Sequence, residues 1–124
     1  MQTATRAAIY VRVSTTGQEE DGTSLDSQEE RCRAFCESRG YVVTDVYREV
    51  FTGKLYRERP ALTRLRDGIR RGEVDAVVCY ALDRLSRNQT HLAVLLDEIE
   101  HHGVRLDLVT ETIEDSPIGR FVLN

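Results

Sequence analysis

The sequence is poor in several residue types: it has no tryptophan, two prolines, three cysteines and a single lysine among 17 basic residues. Because three is an odd number, Cys32, Cys36 and Cys79 are predicted to be reduced thiols in the core rather than a disulfide framework. No apolar run approaches the roughly 20 residues that span a bilayer, and the N-terminus does not have the pattern of a signal peptide. We therefore expect a cytoplasmic protein with no membrane partner.

A metal site would need its ligands at characteristic spacings. Cys32 and Cys36 lie four residues apart on one face of a predicted helix, and His101 and His102 could complete a set with them. No third and fourth ligand stand at a recognisable spacing from the cysteine pair. Core thiols are therefore the preferred interpretation.

The charge balance argues against a chain that binds nucleic acid through bulk electrostatics. The net charge is −4, and 124 residues of which 40% are apolar and 31% charged are typical of one globular domain. Every basic residue except Lys54 is arginine, the side chain suited to bidentate phosphate recognition. A GC-rich genome would explain most of this bias, so each arginine is judged by its position.

Strand and helix patterns alternate along the chain. Apolar runs predict strands over residues 7–13, 41–50, 74–82 and 104–108. Helical spacing with capping, proline and glycine signals predicts one helix from Ser24 or Thr23 to residue 39, another from Pro60 to Gly72, a third ending at Gly103, and the start of a fourth at residue 116. The polar stretches 15–23 and 51–59 are predicted loops. This order indicates an α/β fold, with a mostly parallel four- to five-stranded sheet and helices on both faces.

Polar side chains follow the carboxyl ends of two predicted strands. In the first strand, alternation places Arg12 and Ser14 on one face, so a guanidinium and a hydroxyl leave the strand together. Asp83, Arg84 and Arg87 follow the most apolar strand. Because ligands of parallel sheets bind beyond the carboxyl ends of the strands, we expect these groups to gather at one edge.

The motifs that the sequence lacks limit the reactions in which Ser14 could take part. The chain has no Gly-x-Ser-x-Gly elbow, no complete phosphate-binding loop around residues 52–54 and no histidine near Ser14 in sequence. Acyl transfer and nucleotide hydrolysis are therefore not supported. Attack of Ser14 on a phosphodiester remains, because several fixed guanidinium groups can stabilise the charge of its transition state without a metal.

Five groups of residues also stand in a characteristic order. They are Tyr10-Val11-Arg12-Val13-Ser14-Thr15, Gln18, Ser24-Leu25-Asp26-Ser27-Gln28, Thr52-Gly53 with Arg59-Pro60-Ala61-Leu62, and Leu82-Asp83-Arg84-Leu85-Ser86-Arg87. In this order the chain resembles the catalytic domain of the serine site-specific recombinases, the resolvase/invertase family. The acidic loop before Gln28 and the pattern over residues 57–62 look more like the large serine integrases than the small resolvases.

The resemblance implies a role for each matched residue. Ser14 would be the nucleophile that attacks the DNA backbone, forms a 5′-phosphoserine and releases a 3′-hydroxyl. Asp83 would be the active-site carboxylate that handles the proton of the leaving hydroxyl. The phosphate-binding and transition-state arginines would be Arg12, Arg59, Arg84 and Arg87. The polar and supporting residues would be Tyr10, Gln18 and Gln28.

The resemblance also implies what the reaction requires. The family uses no metal and no high-energy cofactor, because the phosphoserine bond conserves the energy for rejoining. Its members act on double-stranded DNA as dimers that become tetramers. Residues 1–124 would form the N-terminal catalytic domain, ending at the start of a long oligomerisation helix, with the DNA-binding region absent. We expect such a fragment to be inactive alone.

Simpler interpretations exist for single residues. Ser14 could cap the loop after the first strand, and Gln28 could be solvated on an early helical turn. Arg84 and Arg87 could form a surface ion-pair cluster of little energetic value. Arg59 is harder to explain structurally, because a cation at a helix start opposes the helix dipole unless an anion is bound there.

The competing functional class is a non-catalytic module. A flavodoxin-like or receiver-like fold could use the same arginines to bind a phosphorylated partner, and the acidic net charge mildly favours it. Receiver domains, however, carry acidic clusters at the strand ends. This chain presents arginines there.

Overall fold

The computed structural model of the chain describes residues 4–14, 24–51 and 59–110. Its strands are β1 (Arg6–Ser14), β2 (Val42–Phe51), β3 (Ala76–Cys79) and β4 (Arg105–Leu108). Its helices are α1 (Leu25–Arg39), α2 (Pro60–Arg70), the single turn α3 (Leu82–Leu85) and α4 (Gln89–His101). The predicted loop 15–23, most of the loop 51–59 and the helix expected from residue 116 lie outside the described residues.

The four strands form one sheet in the order β2-β1-β3-β4, and every neighbouring pair is parallel. β1 pairs with β2 from Arg6 to Ser14, but with β3 only from Ala7 to Tyr10. Among the described residues, one edge of β1 therefore has no strand beside it after Tyr10. The parallel α/β fold predicted from the sequence is confirmed, and β2 and β4 are the edge strands of the described sheet.

Alternation along β1 sends side chains into two cores. Ile9 and Val11 pack with Cys32 and Cys36 of α1 on one face of the sheet. On the other face, Tyr10 joins a larger cluster that α2 and α4 cover. The residues of α2 and α4 in that cluster are Ala61, Leu62, Leu65, Ile69, Leu92, Leu95 and Ile99. Helices thus cover both faces, as the alternation of strand and helix patterns predicts.

Local signals set the helix boundaries. The Ser24 hydroxyl accepts a hydrogen bond from the backbone N–H of Ser27 at 3.1 Å and so caps α1, which ends at Gly40. Gly40 has a φ of 73°, a left-handed conformation that favours glycine. Pro60 is the first residue of α2. Each of these boundaries agrees with the sequence prediction.

The third strand is shorter than the sequence predicts. The apolar run predicts a strand over residues 74–82, whereas β3 covers Ala76–Cys79 and the chain bends at residues 80 and 81. Leu82 and Leu85 are buried, but they belong to α3. An apolar run does not distinguish a buried strand from a buried helical turn, which is why the prediction is wrong here.

The cysteines and histidines lie apart. Cys32 and Cys36 lie on the buried side of α1, on one face of the sheet. His101 and His102 lie at the end of α4, which covers the other face. Within the described ranges, no three potential metal ligands are grouped together. Burial raises the pKa of the Cys79 thiol to about 12, so this thiol stays protonated at neutral pH.

The three longer helices of the described part all pack against the sheet. In that part of the chain, no helix combines the length and the apolar character needed to cross a membrane.

Candidate active site

The carboxyl end of β1 carries the candidate nucleophile. Ser14 is the last residue of β1, and its backbone is in register with Phe51 of β2. The Ser14 side chain and the whole of Gln18 lie outside the described residues. The structure brings together six of the other predicted site residues, namely Tyr10, Arg12, Gln28, Arg59, Asp83 and Arg84. Arg87 follows them in the chain and is exposed.

Gln28 hydrogen-bonds to the backbone of β1 beyond Tyr10, where the pairing with β3 has ended. Its side-chain Oε1 accepts from the backbone N–H of Arg12 at 3.2 Å, and its Nε2 donates to the backbone carbonyl of the same residue at 2.9 Å. Gln28 is fully buried, so the interpretation of a solvated glutamine is wrong. Both ends of the amide are used to hold the backbone two residues before Ser14.

Arg12 binds the backbone of α3. Its Nε donates to the carbonyl of Arg84 at 3.0 Å, and its Nη2 donates to the carbonyl of Asp83 at 2.7 Å. A helix leaves its last carbonyls without an internal partner, and a single turn such as α3 leaves nearly all of them. The Arg12 guanidinium therefore stabilises α3 while remaining only 3% exposed.

Arg59 also donates to a backbone carbonyl of α3, the one that follows the two bound by Arg12. Its Nη2 donates to the carbonyl of Leu85 at 2.7 Å and to the Tyr10 hydroxyl at 2.6 Å, and its guanidinium lies 5.5 Å from the centre of the Tyr10 ring. Burial raises the pKa of the Tyr10 hydroxyl above its ordinary value, so the group is neutral. Two arginines from different elements thus fix three successive carbonyls of α3.

Glu49 is the residue that the sequence reasoning missed. It lies on β2 beside Arg12 and is 2% exposed. Its Oε1 accepts from the Tyr10 hydroxyl and from the backbone N–H of Leu62, both at 3.0 Å, while its Oε2 accepts from the backbone N–H of Ala61 at 3.1 Å. This carboxylate caps the N-terminus of α2, where Arg59 stands at the N-cap position without a side-chain cap of its own.

A signal for Glu49 was present in the sequence. The argument that a cation at a helix start needs an anion nearby predicts a negative group next to Arg59. The structure supplies that group from within the protein. A glutamate in a strand otherwise rich in valine and tyrosine did not by itself indicate burial.

Arg84 and Asp83 lie on α3, whose carbonyls accept hydrogen bonds from Arg12 and Arg59. The Arg84 side chain is 1% exposed, and its Nη1 is 4.0 Å from Asp83 Oδ1. A surface ion-pair cluster is therefore the wrong interpretation for Arg84, although Arg87 is exposed. Asp83 is itself about half exposed, so its carboxylate reaches the surface of the site.

Three guanidinium groups are buried at the carboxyl end of β1. Arg12, Arg59 and Arg84 are each 3% exposed or less, and Glu49, which pairs with Arg12 across the strands, is buried with them. Burying a charge in a low-dielectric environment is costly unless the group is paired and hydrogen-bonded. Guanidinium groups gathered in this way suit the recognition of an anion such as a phosphate.

Comparisons with known proteins agree with this chemistry. The family described as "Resolvase, N terminal domain" matches residues 7–124. A putative DNA recombinase of Bacillus subtilis (strain 168) is 40% identical over 113 residues, covering 91% of this chain and 22% of that protein. A DNA-invertase of Enterobacteria phage P7 is 36% identical over 113 residues, covering 90% of this chain and 53% of the invertase. The chain thus spans about half, or less, of the length of these relatives.

A solved structure shows the same fold. The crystal structure of the N-terminal catalytic domain of TP901-1 integrase superposes with a TM-score of 0.81 at 36% sequence identity, covering 95% of this chain and 88% of that one. The shared fold includes the parallel sheet and the helices that cover it. The chain therefore belongs to the resolvase/invertase family of serine recombinases, whose N-terminal domain it matches over almost its whole length.

Proposed function

We propose that this domain cleaves and rejoins double-stranded DNA in site-specific recombination, through a 5′-phosphoserine at Ser14. The observation that carries the proposal is the gathering of three buried guanidinium groups, those of Arg12, Arg59 and Arg84, at the carboxyl end of β1, where Ser14 ends the strand. A scissile phosphate is an anion of suitable size and geometry for such a cluster. The similarity to a DNA recombinase and a DNA-invertase supports the same assignment.

The proposed chemistry is a transesterification. The Ser14 hydroxyl attacks the phosphorus, the bond to the 3′-oxygen breaks, and the 5′-phosphate becomes esterified to the serine. Arg12, Arg59, Arg84 and Arg87 stabilise the negative charge on the phosphate oxygens. Asp83 is proposed to handle the proton of the leaving 3′-hydroxyl, since its side chain is about half exposed at the site.

The remaining matched residues support the reaction. Gln28 holds the backbone that leads to Ser14, and Tyr10 lies between two charged groups of the network. Gln18 is proposed to be a polar contact of the same site. The proposed reaction takes no metal and no cofactor, because the ester conserves the energy needed for rejoining. The proposed partners are double-stranded DNA and further copies of the full-length protein, from dimer to tetramer.

The test is a covalent adduct on DNA. The full-length protein that carries this domain, incubated with a nicked cognate site, should form a protein–DNA adduct that survives denaturing electrophoresis. The adduct should be absent for Ser14→Ala and should persist for Tyr10→Phe. An adduct formed by the Ser14→Ala variant would contradict the assignment.

We further propose that residues 1–124 are the catalytic domain of a large serine integrase. The likeness to the TP901-1 integrase domain supports this subdivision, as do the residue patterns before Gln28 and over residues 57–62. Because the net charge of the chain is −4, we expect the chain alone to bind DNA weakly and not to recombine it. Tight binding that persists at high salt in a gel-shift titration would contradict this expectation.

The receiver-like alternative has no such support. The reported relatives are described as a recombinase, an invertase and an integrase, and none as a receiver or flavodoxin-like module. A phosphorylated protein partner is therefore not part of the proposed function.

A further inference from the structure

We propose that Arg48 is a positioning residue for DNA cleavage, acting through α1 and Gln28. The inference rests on the proposed function and deepens it, because it names a residue outside the motifs that carry the family resemblance. α1 has few buried residues: of its 15 residues, only Gln28, Cys32 and Cys36 are buried. α2 buries five of its 11 residues, so polar contacts matter more for the attachment of α1 than for that of α2.

Arg48 provides such a polar contact from β2. Its Nη1 donates to Glu29 Oε1 at 2.6 Å, and its Nη2 donates to Asp26 Oδ1 at 2.7 Å. The two acidic residues stand on either side of Gln28 in the sequence, near the start of α1. One guanidinium group thus attaches the start of α1 to β2 at two points. We call the contacts of Arg48 with Asp26 and Glu29 the Arg48 bridge.

The Arg48 bridge lies close to the backbone that leads to Ser14. Arg48 is in register with Val11 of β1, the residue before Arg12. The Gln28 amide binds the backbone N–H and carbonyl of Arg12 at 3.2 and 2.9 Å. The start of α1 is therefore held by β2 through Arg48 and by β1 through Gln28. Because a hydrogen bond depends on both distance and angle, the Gln28 contacts require α1 to keep its place against both strands.

A surface ion pair of little value is the simpler interpretation of the Arg48 bridge. The side chains of Arg48 and Asp26 are 40% and 89% exposed, but that of Glu29 is only 21% exposed. The contact with Glu29 is therefore the stronger half of the bridge, because water and salt screen it less. A small free energy is enough here, since the bridge acts on a helix that few buried groups hold.

The test is Arg48→Gln in the full-length protein. The substitution removes a charge from an exposed side chain, so the protein should stay folded. The single-turnover rate constant for adduct formation, measured at saturating nicked cognate DNA, should fall roughly 3- to 10-fold, the factor expected for the loss of two partly exposed ion pairs. The DNA concentration that gives half the maximal rate should be unchanged, because Arg48 acts through α1 and not on the DNA.

The matched control is Arg33→Gln. Arg33 donates to the other oxygen of the same carboxylate, Glu29 Oε2, at 2.8 Å, but this ion pair lies within α1 and does not join the helix to β2. The rate constant should be unchanged in this variant. Arg48→Lys should recover part of the rate, because an ammonium keeps the charge but not the two separate nitrogens that bind Asp26 and Glu29.

Glu29→Gln tests the bridge from the helix side. It should also lower the rate constant, and in the double variant with Arg48→Gln the combined loss should be smaller than the product of the two single losses, since both remove the same contact. Single losses that multiply would show that the two residues act separately, which would contradict the bridge.

The outcomes separate the inference from the proposed function. If wild-type protein forms a Ser14-dependent adduct and Arg48→Gln forms it with the same rate constant, or Arg33→Gln is slowed equally, the inference fails alone. A higher DNA concentration for half the maximal rate, with an unchanged rate constant at saturation, would identify Arg48 as a DNA contact and overturn it too. If wild-type protein forms no Ser14-dependent adduct, the proposed function fails, and the inference falls with it.

Discussion

Arg6 and Arg12 lie six residues apart on β1 and are bound in opposite ways. At the amino end of the strand, Arg6 is about half exposed and pairs with the carboxylate of Asp75, at 3.0 and 3.1 Å from its Nη2 and Nε. At the carboxyl end, Arg12 is 3% exposed and donates to the neutral carbonyls of Asp83 and Arg84. One arginine pairs with an acid at the surface, and the other is buried and donates to backbone carbonyls.

The two ends of the sheet differ in the desolvation that their arginines require. An exposed ion pair adds little stability but requires little desolvation. A buried guanidinium requires more desolvation, which its hydrogen bonds to backbone carbonyls offset in part. The carboxyl end therefore depends on buried polar contacts, whereas the amino end has the exposed ion pair of an ordinary protein surface.

The largest effect on stability is expected for Gln28→Leu at the carboxyl end. The substitution leaves the buried N–H and carbonyl of Arg12 without their partners, which should lower the free energy of unfolding by about 2–4 kcal/mol. Urea denaturation of the chain followed by circular dichroism would measure this. The control is Gln89→Leu, at an exposed first position of α4. Equal losses in the two variants would contradict the structural role of Gln28.

An intermediate effect is expected for the Glu98–Arg66 pair. Their side chains are 15% and 20% exposed, and the Arg66 hydrogen bonds lower the pKa of Glu98. Glu98→Gln should reduce the free energy of unfolding by about 1 kcal/mol or less. The loss should be measurable at neutral pH and should vanish in acid, once Glu98 is protonated in the wild type. A loss as large as that of Gln28→Leu would show that the more buried interaction does not contribute more to the free energy of unfolding.

The smallest effect is expected at Asp75, at the amino end. Hydrogen bonds from Arg6 lower the pKa of its carboxyl from 3.8 to about 2. A lowered pKa stabilises the fold above its unfolded-state value, so this contribution is present above pH 3.8 and is lost as the pH falls toward 2. Asp75→Asn should therefore lower stability slightly at neutral pH and flatten the loss of stability in that acid range. Thermal unfolding at a series of pH values would test this, and an unchanged acid slope would refute it.

The sequence predicted the fold well because the signals were local. Ser24, Gly40 and Pro60 act on their own helix ends, and the alternation in β1 reports which core each side chain enters. The third strand was predicted too long because Leu82 and Leu85 continue the apolar run into a helical turn. Local composition does not show where a buried chain changes from one backbone conformation to another.

The sequence predicted which residues meet at the site but not which contacts they make there. The motif residues from Tyr10 to Arg84 could be expected to meet at one edge of a parallel sheet. That Arg12 and Arg59 would bind carbonyls of α3, or that Glu49 would cap a helix from another strand, depends on contacts between residues distant in sequence. No pattern within one segment contains that information.

The amide of Gln28 has a consequence for the motion of the site. After Tyr10, β1 is held on one side by β2 and on the other by this side chain of α1, since β3 has ended. The amide hydrogen of Arg12 should therefore exchange with solvent when α1 moves, and not only when the sheet opens. Because Ser14 lies two residues further on, a displacement of α1 would be transmitted to the backbone of the proposed nucleophile without unfolding any strand.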